Sequence, residues 1–125
     1  MCVGPQNAEE TEQTYDTLDK QMEDPYSIYN FVKQTISIRN AFPEIARGTN
    51  TFEKDLSNDN VCIFTREYNG EKAVLIFNPS KDEASVDVSS LGVNDAVAML
   101  QTTKKAPSYK DGTAKLPAYS VLVLK

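Results

Sequence analysis

Histidine is absent from all 125 residues, and so is tryptophan. The first absence removes Ser-His-Asp and Cys-His catalysis together with the commonest zinc ligand. The second leaves tyrosine and phenylalanine as the only rings on which a sugar face could stack. Cysteine is scarce: Cys2 and Cys62 lie far apart, outside any paired metal-ligand spacing, so free thiols are expected rather than a disulfide or a metal site. No apolar run approaches the ~20 residues of a membrane span. The N-terminus carries neither a basic n-region nor an apolar h-region. Basic charge is in deficit, with 13 Lys and Arg against 18 Asp and Glu and a net charge of −5, which disfavours binding to phosphate backbones. A glycosylation sequon is missing too, because Asn78-Pro79-Ser80 has the excluded proline. These absences predict no catalytic, cofactor-binding or metal-binding residue, no nucleic-acid partner and no membrane span.

What remains is ordinary for a globular chain, with 40% hydrophobic and 25% charged residues. Met1 to Glu23 contains Gly4-Pro5 and the carboxylates Glu9, Glu10, Glu12, Asp16 and Asp19, with few large apolar side chains. It predicts an acidic, solvated loop with at most a short helical turn. From Asp24 to Gly48 the pattern becomes helical. Asp24 can serve as N-cap with Pro25 at the first helical position, and Pro43 and Gly48 mark the exit. Ile28, Phe31, Val32, Thr35, Ile36, Arg39 and Phe42 recur at steps of three and four and form one apolar stripe. Burying each large side chain of that stripe contributes roughly 1.5–3 kcal/mol, so the helix requires a substantial partner surface.

From Thr51 onward the period falls to two. The segment Asn60 to Tyr68 alternates, Asn69-Gly70 signals a type I′ hairpin turn, and Glu71 to Pro79 is apolar on both faces, as suits a central strand. Ala84 to Ser90 reads as a half-exposed or edge strand, and Asp95 to Thr103 as a further one, followed by the loop Lys104 to Tyr109. Asp111-Gly112 signals a second hairpin turn into Thr113 to Pro117, and Ala118 to Lys125 is the last strand. With Thr51 to Leu56 at the start, this makes about seven short strands, the pattern of a small antiparallel Greek-key β-sandwich preceded by one amphipathic α-helix.

Leu18 to Thr49 resembles the final barrel helix and exit segment of the alpha-amylase family of glycoside hydrolases, family 13. The matching positions are Asp24, Ser27, Ile28, Arg39, Asn40, Pro43, Ala46, Arg47 and Gly48. Leu116, Pro117, Tyr119, Ser120, Val121 and Val123 are similar to the closing strand of that family's small C-terminal sandwich, and the Met1 to Pro5 opening to the loop before the last helix. The resemblance implies two parts. Residues 1–48 would be an acidic loop and the last helix of a missing (β/α)8 catalytic barrel, and residues 49–125 the C-terminal all-β domain.

On that reading the parent is a retaining hydrolase of α-glucans such as starch and malto-oligosaccharides, and this chain is an accessory piece. The family's three catalytic carboxylates belong to barrel motifs not found here. Retaining chemistry needs two carboxyls about 5–5.5 Å apart, and no pair in this sequence has a scaffold to hold them so. The stripe residues would then be core, with Arg39 an ion-pair or hydrogen-bond donor. The partner would be the missing barrel, and an extracellular or cell-surface location is what relatives imply. Two alternatives stand beside this. Tyr68 and Tyr109 could offer an α-glucan-binding surface, or the chain could be an independent interaction module whose helix stripe pairs with the sandwich or with a second copy.

Overall fold

A computed structural model describes residues 14–125 of the chain. Cys2, the Met1 to Pro5 opening and the carboxylates Glu9, Glu10 and Glu12 lie outside the described residues. Three helices come first: α1 (Leu18–Glu23), α2 (Ile28–Ala41) and α3 (Pro43–Arg47).

The single helix expected over Asp24 to Gly48 is therefore broken in two, and its cap is displaced. Ser27, not Asp24, caps α2, its Oγ accepting from the Asn30 N–H at 3.2 Å. Asp24 and Pro25 instead belong to the turn before it, where Asp24 Oδ1 accepts from the Tyr26 N–H at 2.9 Å. The reason is a side chain further on. The Asn30 amide donates to the carbonyls of Gln21 (3.0 Å), Met22 (3.2 Å) and Asp24 (2.8 Å), closing the C-terminal end of α1 and fixing where α2 can begin. At the other end Phe42 is extended (φ −118°, ψ 100°), because the ring of Pro43 disfavours the helical region in the residue before it. Pro43 then opens α3, where its missing N–H costs nothing.

Eight strands follow: β1 (Thr49–Phe52), β2 (Cys62–Tyr68), β3 (Glu71–Asn78), β4 (Ala84–Asp87), β5 (Ala96–Leu100), β6 (Ser108–Lys110), β7 (Thr113–Leu116) and β8 (Ser120–Leu124). β6 lies in part of the expected loop Lys104 to Tyr109, since a hairpin turn at Asp111-Gly112 needs an arm on each side. β1 starts and ends earlier than expected, and the chain turns after it, with Ser57 N–H donating to the Glu53 carbonyl at 3.0 Å. Both hairpin turns have positive φ at their two central residues, Asn69 (51°) and Gly70 (82°), Asp111 (49°) and Gly112 (81°), as the I′ geometry demands.

The strands form a five-stranded sheet in the order β1-β2-β3-β8-β5 and a three-stranded sheet in the order β4-β7-β6, with every pair antiparallel. The architecture is a small antiparallel sandwich preceded by helices. Between the sheets lie Ile63, Val74, Ile76, Leu122 and Leu124 from one side and Val88, Ala114 and Leu116 from the other, all buried. β3 is central, as its composition predicts, with Val74 and Ile76 in this core and Ala73, Leu75 and Phe77 on the opposite face. β4 is an edge strand, also as expected. Asn78, buried at the end of β3, ties the sheets together: its amide donates to the carbonyls of Asp82 (2.8 Å), Leu116 (3.1 Å) and Pro117 (2.9 Å). α3 packs against β2 and β3, and α2 reaches β5.

Candidate functional site

The helix stripe read from the sequence is two edges, and the sandwich covers only one. At about 100° per residue, Phe31, Ile38 and Phe42 share a side, and these are half-buried. Ile28, Val32 and Ile36 lie round the helix from them, and they stand 54%, 49% and 55% exposed. Leu18 of α1 continues this open edge, so that a groove of about 590 Å³ runs between α1 and α2, lined by Leu18, Ile28, Tyr29, Val32 and Ile36. Exposed apolar side chains in contiguous array mark a contact surface rather than a solvated one.

A second apolar surface lies on the outer face of the five-stranded sheet. Phe52 and Phe64 face each other across β1 and β2 with ring centres 5.3 Å apart, and Phe64 meets Phe77 edge to face at 5.9 Å. A cleft of about 330 Å³ connects this row with α2, lined by Tyr26, Ile28, Phe31, Phe77, Tyr119 and Val121. Ile28 belongs to both the groove and the cleft, so the two surfaces are continuous. Tyr119, in the left-handed region at φ 51°, is half-exposed at the rim.

Three carboxylates of the sandwich have structural occupations. Glu53 accepts from the Thr65 hydroxyl at 2.6 Å, and Glu83 pairs with Lys105, whose ammonium holds its carboxyl below the usual range. Asp87 is held low by the hydroxyl and N–H of Ser89. Glu44 is the buried one. Burial pushes its carboxyl up, but Lys125 and its own backbone N–H outweigh this and hold it below the usual carboxylate range. Among the described residues no group of three or more His, Cys, Asp or Glu side chains is placed to hold a metal ion.

The two tyrosines expected to stack sugar are separated by the fold. Tyr109, on β6, packs against the core and donates its hydroxyl to the Val93 carbonyl at 2.9 Å. Tyr68 ends β2 in the other sheet. Arg39 is exposed, with no ion pair among the described residues. No helix of the described residues is long and apolar enough to cross a membrane. Sequence reasoning did not find the Phe52-Phe64-Phe77 row or the Glu44–Lys125 pair. The row was legible in part, as one phenylalanine on the same face of each of three adjacent strands. The pair joins residues far apart in sequence, with all eight strands between them, and leaves no local signal.

The described residues thus make a small two-sheet sandwich led by helices, with an open apolar face. Comparisons with known proteins place this fold in a family. Residues 55–123 match the family model described as Maltogenic Amylase, C-terminal domain, over more than half of the chain. The chain belongs to that family, and so to the C-terminal domains of the alpha-amylase family of glycoside hydrolases. Among solved structures, Eubacterium rectale Amy13B is 98% identical over 100% of this chain, with a TM-score of 0.93, and the chain spans 25% of its length. Trehalulose synthase MutB from Pseudomonas mesoacidophila MX-45 shares the fold at 23% identity and a TM-score of 0.70, with 86% of this chain and 19% of that one covered. Its R284C mutant gives 23% and 0.73, over 90% and 20%. No curated protein matches the chain.

Proposed function

We propose that this chain is the non-catalytic C-terminal part of an alpha-amylase-like hydrolase of α-glucans, with residues 1–48 an acidic loop and the last helical segment of a (β/α)8 catalytic barrel and 49–125 the all-β domain beside it. The observation that carries this is the open edge of α2. Ile28, Val32 and Ile36 are half-exposed on a helix whose other edge already rests on the sandwich, and the aromatic row continues the same apolar surface. The match over a quarter of a 98% identical protein supports a body of several hundred further residues, large enough to cover it. The glucan substrate follows from the family and from no residue of this chain.

The coding sequence upstream of Met1 tests the reading most directly. Barrel strands bearing three catalytic carboxylates are expected there, and a stop codon in their place overturns it. A second test substitutes Val32→Glu with Ile36→Glu in the longer protein. Loss of soluble enzyme and of malto-oligosaccharide hydrolysis is expected, whereas full activity means that nothing covers the open edge.

A further inference from the structure

α3 has five residues, too few to hold a helical turn by itself. Two cations from the sandwich grip it from different strands. Lys125, which follows β8, brings its Nζ to 2.6 Å from Glu44 Oε1, on a carboxylate only 2% exposed, and this ion pair is what meets the charge of a buried oxygen that has no hydrogen-bond partner of its own. Arg66 of β2 donates from Nη2 to the Ile45 carbonyl at 2.9 Å, an acceptor that a helix end leaves open, and from Nε at 3.4 Å to the Glu44 carbonyl, which also accepts from the Gly48 N–H at 2.9 Å. The Lys125 ammonium also lies 5.9 Å from the centre of the Phe42 ring and 3.3 Å from Glu71 Oε2. It thus reaches α3 and the extended joint at Phe42, the one residue between α2 and α3. Gly48 completes the seat by letting the strand β1 leave against the Glu44 carbonyl and the Glu67 backbone.

We propose that Lys125 and Arg66 hold α3 as a rigid handle, so that residues 43–47 fold with the sandwich and the hinge of the chain lies at Phe42 rather than at Gly48. The handle sets the direction in which α2 presents its open Ile28, Val32 and Ile36 edge. The grip itself stands on the contacts above, while its use in aiming α2 rests on the reading given under Proposed function. Glu44 and Lys125 are positioning residues in this scheme, and neither contacts substrate.

The test is amide hydrogen exchange on the 125-residue chain, with the tilt of α2 against β3 followed by residual dipolar couplings. In the unsubstituted chain the Ala46, Arg47 and Gly48 amides should be protected together with those of β2. Lys125→Met leaves a buried carboxylate without its counter-charge, so exchange in α3 should rise about 100-fold and the tilt of α2 should become averaged. Glu44→Gln keeps the shape and removes the charge, and the rise should stay below about tenfold, with the double variant resembling it rather than Lys125→Met. Glu71→Gln, at the exposed third member, should change nothing. The proposal is overturned if α3 exchanges freely in the unsubstituted chain, if Lys125→Met gives less than about a tenfold rise, or if Glu71→Gln releases α3 as strongly. Should Lys125→Met not fold, Glu44→Gln with Lys125→Met restores a chain in which the same amides can be read. An upstream sequence without a barrel would sink the functional reading and leave all of these rates unchanged.

Discussion

A Cβ at Gly48 would stand 2.3 Å from the Glu44 carbonyl oxygen and 2.9 Å from that of Glu67, both backbone atoms that cannot swing aside. Its φ of −69° is ordinary, so the requirement is for space and not for a left-handed conformation. Gly48→Ala should therefore lower stability by about 1–3 kcal/mol in urea melts, the usual cost of overpacking a fixed site. Glu44 and Lys125 make a different kind of prediction, one of pH. The Glu44 carboxyl is held below its ordinary 4.5, with burial opposing and Lys125 prevailing, so its contribution is present above that value and disappears as pH falls through the lowered one. Lys125 is raised above its ordinary 10.5, chiefly by Glu44 against the effect of burial and with help from Glu71, so its contribution is full below that value and disappears as pH rises past the raised one. The gap in urea midpoint between the unsubstituted chain and Glu44→Gln should stay flat from about pH 5.5 to 9.5 and close in stronger acid, as Glu44 takes up a proton, and in stronger alkali, as Lys125 loses one. A gap that closes near neutrality would show that the pair is not the ion pair described. None of this was legible in the sequence, because the pairing of Glu44 with Lys125 exists only after eight strands have closed.

At the scale of elements, α2 offers a contrast within one helix. Val32→Glu with Ile36→Glu should leave the stability of the 125-residue chain within about 0.5 kcal/mol, since those side chains already face water. Ile38→Ala, on the covered edge, should cost about 1–2 kcal/mol, the share of a half-buried aliphatic. Equal effects from the two edges would contradict the packing. The sequence announced the helix and its apolar character plainly, but not the division into edges, because periodicity reports which residues share a side and not how wide a neighbour is. The I′ hairpins were legible for a local reason: Asn69-Gly70 and Asp111-Gly112 both carry residues that tolerate positive φ. The N-cap was misread because Asp24 and Ser27 are both good caps, and the Asn30 amide that decides between them acts six residues away on Asp24. The break at Phe42 has its signal in Pro43, which in sequence marks an end without telling that a second short helix starts there.

At the scale of the molecule, the open face of α1 and α2 and the row Phe52, Phe64 and Phe77 make one bent apolar surface through the shared cleft. Kept apart from any larger body, such a surface should drive weak self-association. Sedimentation should show a weight-average mass that rises with concentration, and Val32→Glu with Ile36→Glu should return the chain to a monomer. A monomer at every concentration would mean that the surface is too small or too bent to cover itself. The sandwich class and its central β3 were readable from strand spacing and two-sided composition. The division into sheets of five and three was not, because it depends on which distant strands pair.

That pairing has a consequence for synthesis. β8 sits between β3 and β5, yet the ribosome makes it after every other strand described. Until Ser120 to Leu124 emerge, the inner edges of β3 and β5 are both unpaired, and the core lacks Leu122 and Leu124. Domains generally fold in the order they are translated. Here a chain cut short before Ser120 would display sticky strand edges instead of a half-built domain, and nascent chains of this protein should depend on chaperone holding until β8 arrives.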